Sequence, residues 1–134
     1  MITSGSGHRE VGRAELASRT DIDVLVRRFY ERAVADPVLA PVFDVLAVIG
    51  LDDHLVVVGD FWEQILFRTT RYEGAFLPVH RALHGQHGLT AERFERWLEL
   101  WCGTVDELFT GPDAERAKSK AAAMARSLAR SLEK

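Results

Sequence analysis

Imidazoles are concentrated in one stretch of this chain. Phe76 to Gly88, FLPVHRALHGQHG, holds His80, His84 and His87, three of the five histidines in the sequence. At i, i+4 and i+7 their rings would share one face of a helix, an arrangement that admits a transition-metal site. Three imidazoles this close on one helix rarely reach a single tetrahedral ion, however, and Cys102 has no companion thiolate. Gly85 also weakens any helix between His84 and His87. His80 differs from its neighbours: it follows Phe76, Leu77, Pro78 and Val79 and precedes Leu83, so it can project into apolar surroundings, while His84 and His87 lie among Gly and Gln. Such a residue is either a structural histidine or a lone metal ligand. An iron porphyrin needs one neutral imidazole on its proximal side, oriented through the other ring nitrogen, and His80 meets the positional requirement.

Four amphipathic stripes must carry any such site. Thr20 can cap the first, with Asp23 three residues on, and Ile22, Leu25, Val26, Phe29, Tyr30 and Ala33 share its inner face. Asp36-Pro37 stops it, because the residue before proline is pushed away from helical angles. Pro37, Pro41 and Gly50 predict a short helical turn and corner over 36–50, with Phe43 as its apolar anchor. The second stripe sets Leu55, Val58, Trp62, Ile65 and Leu66 at helical spacing, with His54 and Phe61 at its margins. Val56-Val57-Val58 favours a strand locally, but the pattern sustained to Leu66 favours a helix. Pro78 suits the first position of a short helix. Thr90 then caps the clearest stripe, Phe94, Trp97, Leu98, Trp101, Val105, Leu108 and Phe109. Gly111-Pro112 ends it, and Asp113 is placed to cap a last helix with Ala117, Ala121, Met124, Ala125, Leu128 and Leu132 inward. The expectation is all-α, one domain over 16–134 behind a flexible tail over 1–15.

Composition narrows the classes of function. The 134 residues suit a single core, and 47% apolar with 28% charged residues is ordinary for a soluble globular chain. Its 17 basic and 20 acidic residues are scattered, so no stripe that would track nucleic acid emerges. Cys102 cannot form an intramolecular disulfide and reads as a small buried hydrophobe, which fits a reducing compartment. The opening MITSGSGHRE lacks a secretory apolar region, and the greasiest window, Pro37 to Leu51, is broken by Asp44 and falls short of the roughly 18 apolar residues of a span. A soluble cytoplasmic protein, partnered by neither membrane nor nucleic acid, is expected.

Several stretches together resemble a known family. RRFYERAVADPVLAPVF, residues 27–43, resembles the B-helix and following corner of truncated haemoglobins, in which a Phe-Tyr pair precedes an Asp-Pro turn and a ring-stacking Phe. HLVVVGDFWEQIL, residues 54–66, resembles their E-helix with its Phe-Trp pair; PVHRAL is similar to the proximal-histidine segment, and ERFERWLELW to the G-helix with its pocket Trp. In this order the matches cover about residues 20–132. Group III is the nearest likeness, since a distal His accompanies the B-helix Tyr and G-helix Trp; Gly74-Ala75-Phe76 stands where the family often has Gly-Asn-Pro.

The resemblance implies a 2-on-2 helical sandwich with a short proximal helix, holding haem b (iron protoporphyrin IX). It implies His80 as the proximal metal ligand, Tyr30, His54 and Trp97 as distal residues, and Phe43 packed on the porphyrin. Leu55, Val58, Leu77, Val79, Phe94 and Leu98 would line the ring, although ordinary core packing selects nearly the same residues. Arg81 is carried as a cofactor-binding residue, and Arg68 and Arg71 are equally suited by chemistry to pair with the propionates. The ligands implied are O2, NO and CO. Three functions follow: redox chemistry on bound oxygen (NO dioxygenation or peroxidase-like), gas storage or sensing without turnover, or a helical module in which the histidines bind a metal without haem. Turnover would need a separate reductase, because these residues leave no room for a flavin or nicotinamide domain.

Overall fold

The structure is a computed structural model, and it describes residues 14–44, 46, 50–68, 80, 82, 84–85 and 88–132. Helix α1 spans Arg19–Ala33, α2 Ala40–Phe43, α3 Leu51–Phe67, α4 Ala91–Leu108 and α5 Pro112–Leu132. Each of the four long helices packs on two others: α1 on α3 and α4, and α5 on α3 and α4. Apolar stripes at helical spacing thus close into one core around Ile22, Leu25, Val26, Phe29, Trp101 and Val105. Trp62 of α3 stacks on Trp101 of α4 with centroids 4.6 Å apart and planes at 17°, a contact that ties the two helices across the core. Among the described residues no helix is long and apolar enough to cross a membrane.

Helix α1 starts earlier than its sequence suggested. Ser18, not Thr20, is the N-cap: its hydroxyl accepts from the Asp21 amide, and Asp21 Oδ2 accepts from the Ser18 amide at 3.2 Å and the Ala17 amide at 2.9 Å. This start leaves Arg19 on the face toward α3, where it binds Asp23 at 2.8 Å, Asp60 at 2.6 Å and Glu63 at 2.9 Å. Its Nη2 also donates to the Val56 carbonyl. Gly59 makes the room, since a Cβ there would stand 2.6 Å from Arg19 Nη2 and 2.9 Å from Asp23 Oδ1. Val56 and Val57 are helical and exposed, so burial on the opposite face outweighs the local strand preference.

Thr90 caps α4 as expected, accepting from the Arg93 amide at 3.2 Å. At α5 the expectation changes: Pro112 is already helical, and Asp113 lies within the first turn and binds Arg116 at 3.0 Å instead of acting as the cap. Gly111 has a φ of 101°, which a side chain would strain. A two-residue parallel pairing, β1 (Ala14–Glu15) with β2 (Phe109–Thr110), joins the end of the expected tail to the α4–α5 turn. Two-residue strands carry no hydropathy pattern of their own, so neither was expected. Cys102 is half-buried, not a core residue, and burial is the main influence raising its thiol pKa.

Candidate functional site

Phe29 and Tyr30 divide the core between them. Both are buried on α1, yet Phe29 turns edge-on to Trp97 (6.0 Å) and Trp101 (5.3 Å) of α4, whereas Tyr30 turns edge-on to Phe43 of α2 (5.3 Å) and His54 of α3 (5.2 Å). The corner brings Phe43 there. Asp36 Oδ2 accepts from the amides of Val38 and Leu39 at 3.1 and 3.2 Å, so the chain turns tightly after Pro37 and delivers α2 against α1. His54 sits in the first turn of α3, just after Gly50, whose φ is 95°.

The Tyr30 hydroxyl and His54 Nε2 are 3.1 Å apart. Burial pushes the Tyr30 hydroxyl pKa well above the usual tyrosine range. Burial also lowers the His54 pKa, and the charge of His80 lowers it further. Both rings are therefore neutral near neutral pH, and His80 is close enough for its charge to be felt at His54. Two hydrogen-bond patterns are open to a neutral pair. In one, Tyr30 donates to Nε2; in the other, Nε2–H donates to the phenol oxygen and frees the phenol proton for a third group.

Trp97 is half-buried, lies parallel to Trp101 at 6.1 Å and stands edge-on to Phe29, which in turn stands edge-on to Tyr30. Leu55 is buried, Val58 and Leu98 are partly buried against the core, and Phe94 is half-buried on α4. His80 is helical and half-buried. Leu77, Val79 and Arg81, together with Arg71 and His87, lie outside the described residues. Arg68 ends α3 in a left-handed conformation and is exposed.

His84 has a local role that its spacing did not reveal: its Nδ1 accepts from the Leu89 amide at 3.0 Å and its carbonyl from the Gly88 amide at 2.9 Å. With Nδ1 so engaged, the His84 side chain is committed to the backbone at Leu89. Among the described residues no three His, Cys, Asp or Glu side chains gather as a metal cage. Sequence reasoning also missed Arg93, which reaches the backbone carbonyls of both Val38 and Gly88. Backbone acceptors leave no residue signature, so no motif could have announced it.

This donor set fits a haem. His80 lies near enough to His54 for its charge to lower the His54 pKa, and His54 meets the Tyr30 phenol beside the ring of Phe43. No carboxylate is among these groups, as suits the apolar face of a porphyrin. No family model matches the chain, and no curated protein matches it. A solved structure does: the group III truncated hemoglobin from Campylobacter jejuni superposes with a TM-score of 0.78 at 25% identity, covering 90% of this chain and 94% of that one. The fold is that of a truncated haemoglobin, with group III as the point of likeness.

Proposed function

We propose that this chain, a truncated globin by its fold, binds haem b through His80 and carries out redox chemistry on O2 held beside Tyr30, His54 and Trp97, with NO or peroxide as co-reactant and a separate reductase as electron source. The observation that carries this reading is the neutral Tyr30 and His54 pair, 3.1 Å apart and within electrostatic reach of His80. A structural tyrosine in an all-apolar core usually spends its hydroxyl on a backbone carbonyl. This one meets a second titratable ring instead.

Haem, when bound, supplies an iron site for diatomic ligands, of which O2 takes up the most negative charge. Tyr30 responds to that charge. With His54 as the Nε2–H tautomer, the phenol accepts from His54 and its own proton is free to donate to the ligand, a bond worth about 0.5–1.5 kcal/mol net and more in a dry pocket. The raised Tyr30 pKa keeps that proton on the oxygen, and the lowered His54 pKa keeps the imidazole neutral and able to switch tautomer. His54 can thereby orient the phenol, while the Trp97 indole contributes a second donor. Donors placed at Tyr30 and Trp97 would slow the release of oxygen, which would disfavour delivery and favour reaction in place.

Stopped-flow mixing of the oxygenated protein with NO, followed by re-reduction, tests the proposal. Rapid conversion to the ferric protein with nitrate formed, and recovery of the oxygenated spectrum once a reductant is supplied, is the expected result. A ferric product that no reductant returns to the cycle, with NO and again when peroxide replaces it, would leave storage or sensing as the function.

A further inference from the structure

One side chain bonds two segments, the turn that leads to Phe43 and the backbone at Gly88. Arg93 stands in the first turn of α4, where its Nε donates to the Val38 carbonyl at 3.1 Å and its Nη1 to the Gly88 carbonyl at 2.9 Å, both in part-buried positions. Val38 belongs to the Asp36 turn, which runs directly into α2 and Phe43, the ring set edge-on to Tyr30. Gly88 is tied to His84: its amide donates to the His84 carbonyl, and the following Leu89 amide donates to His84 Nδ1. His84 is one helical turn beyond His80. Hydrogen bonds and short runs of backbone therefore connect Phe43 to Val38, Arg93, Gly88 and His84, which stands four residues after His80.

The chemistry of the link matters. A guanidinium is a rigid plane whose nitrogens point in fixed, diverging directions, so a shift of one bonded carbonyl tilts the group and is felt by the other. An ammonium on a flexible stem transmits no such tilt and serves one carbonyl well at a time. Val38 lies five residues before Phe43, in the turn that Asp36 closes. We infer that Arg93 is a positioning residue that couples the corner bearing Phe43 to the segment bearing His80, so that displacement on one side of the pocket changes the setting of the imidazole on the other. Its functional meaning rests on the reading of His80 as the haem ligand. The mechanical coupling does not.

The test has two arms on the full chain. Without haem, residue-resolved amide exchange is followed at Leu89 in the wild type, Phe43→Ala, Arg93→Gln and the double variant. Phe43→Ala loosens the corner and should speed Leu89 exchange severalfold when Arg93 is present, and leave it unchanged on top of Arg93→Gln. Equal acceleration in both backgrounds, or none in either, overturns the coupling. If Arg93→Gln does not fold, Arg93→Lys replaces it and must break the coupling too, because it keeps the charge but not the fork. With haem added, the iron–histidine stretching band of the ferrous protein should shift with Phe43→Ala and shift less in the Arg93→Lys background; equal shifts overturn the link to His80. A wild type that takes up no haem would defeat the ligand reading alone, and the exchange arm would still decide the coupling.

Discussion

The Phe29 side and the Tyr30 side of α1 are built from the same kinds of residue and do opposite things. On the Phe29 side the polar groups of Trp101 and Thr104 are spent within the protein. Trp101, 1% exposed, donates its indole N–H to the Ala117 carbonyl at 3.2 Å, and Thr104 bonds back to the Leu100 carbonyl at 2.7 Å. On the Tyr30 side the phenol and the His54 imidazole meet each other, and one of their protons remains available to a third group. Adjacent residues on one helix thus separate a region committed to folding from one whose hydrogen bonds are left switchable. The difference lies in the partners: Phe29 faces the Trp stack, and Tyr30 faces Phe43 and the titratable ring of His54.

The sharpest way to break this contrast is at Trp101. Trp101→Ala removes the centre of the stack and should cost about 3–5 kcal/mol in denaturant unfolding, whatever ligand is present. A loss under about 1 kcal/mol would mean the stack is not the folding side at all. Gly59→Ala comes next, since its methyl would push Arg19 from its carboxylates; a destabilisation of about 1–3 kcal/mol is expected from such overpacking. Tyr30→Phe should have the reverse profile. With only a hydroxyl lost, stability should change by about 1 kcal/mol or less, while O2 dissociation from the haem-loaded protein accelerates roughly tenfold and CO dissociation much less. Equal acceleration for both gases would deny the phenol its donor role.

The smallest effect is in pH. The folded His54 pKa lies below its ordinary value of about 6.5, so the unfolded chain takes the proton more readily. This contribution to stability is complete above that value and is lost as pH falls through it toward the folded pKa. His54→Gln should flatten the slope of unfolding free energy between about pH 7 and pH 5. A slope unchanged by that substitution would place the titration elsewhere.

Legibility in the sequence followed the range of each interaction. The α4 stripe and its Thr90 cap were readable because both are local and periodic. The α1 start was misread for a physical reason: Ser18-x-x-Asp21 and Thr20-x-x-Asp23 are overlapping boxes, and only the fold decides, by needing Arg19 and Asp23 against α3. Tyr30 and His54 are 24 residues apart, and periodicity alone assigned Tyr30 to the core and left His54 at a margin. Their juxtaposition was suggested only by resemblance to a family, and the fold puts them in contact. His84 and Arg93 were illegible as positioning groups because their partners are backbone atoms.

The central claim is that one imidazole of the cluster, His80, serves the pocket while His84 serves the backbone. Haem titration of the wild type, His80→Ala and His84→Ala, read by the Soret band and the ferrous spectrum without added gas, tests it most directly. The account predicts a stable histidine-ligated ferrous haem in the wild type and in His84→Ala, the latter with a looser loop, and loss of that species in His80→Ala. Loss in His84→Ala with retention in His80→Ala would contradict it and move the ligand by one helical turn.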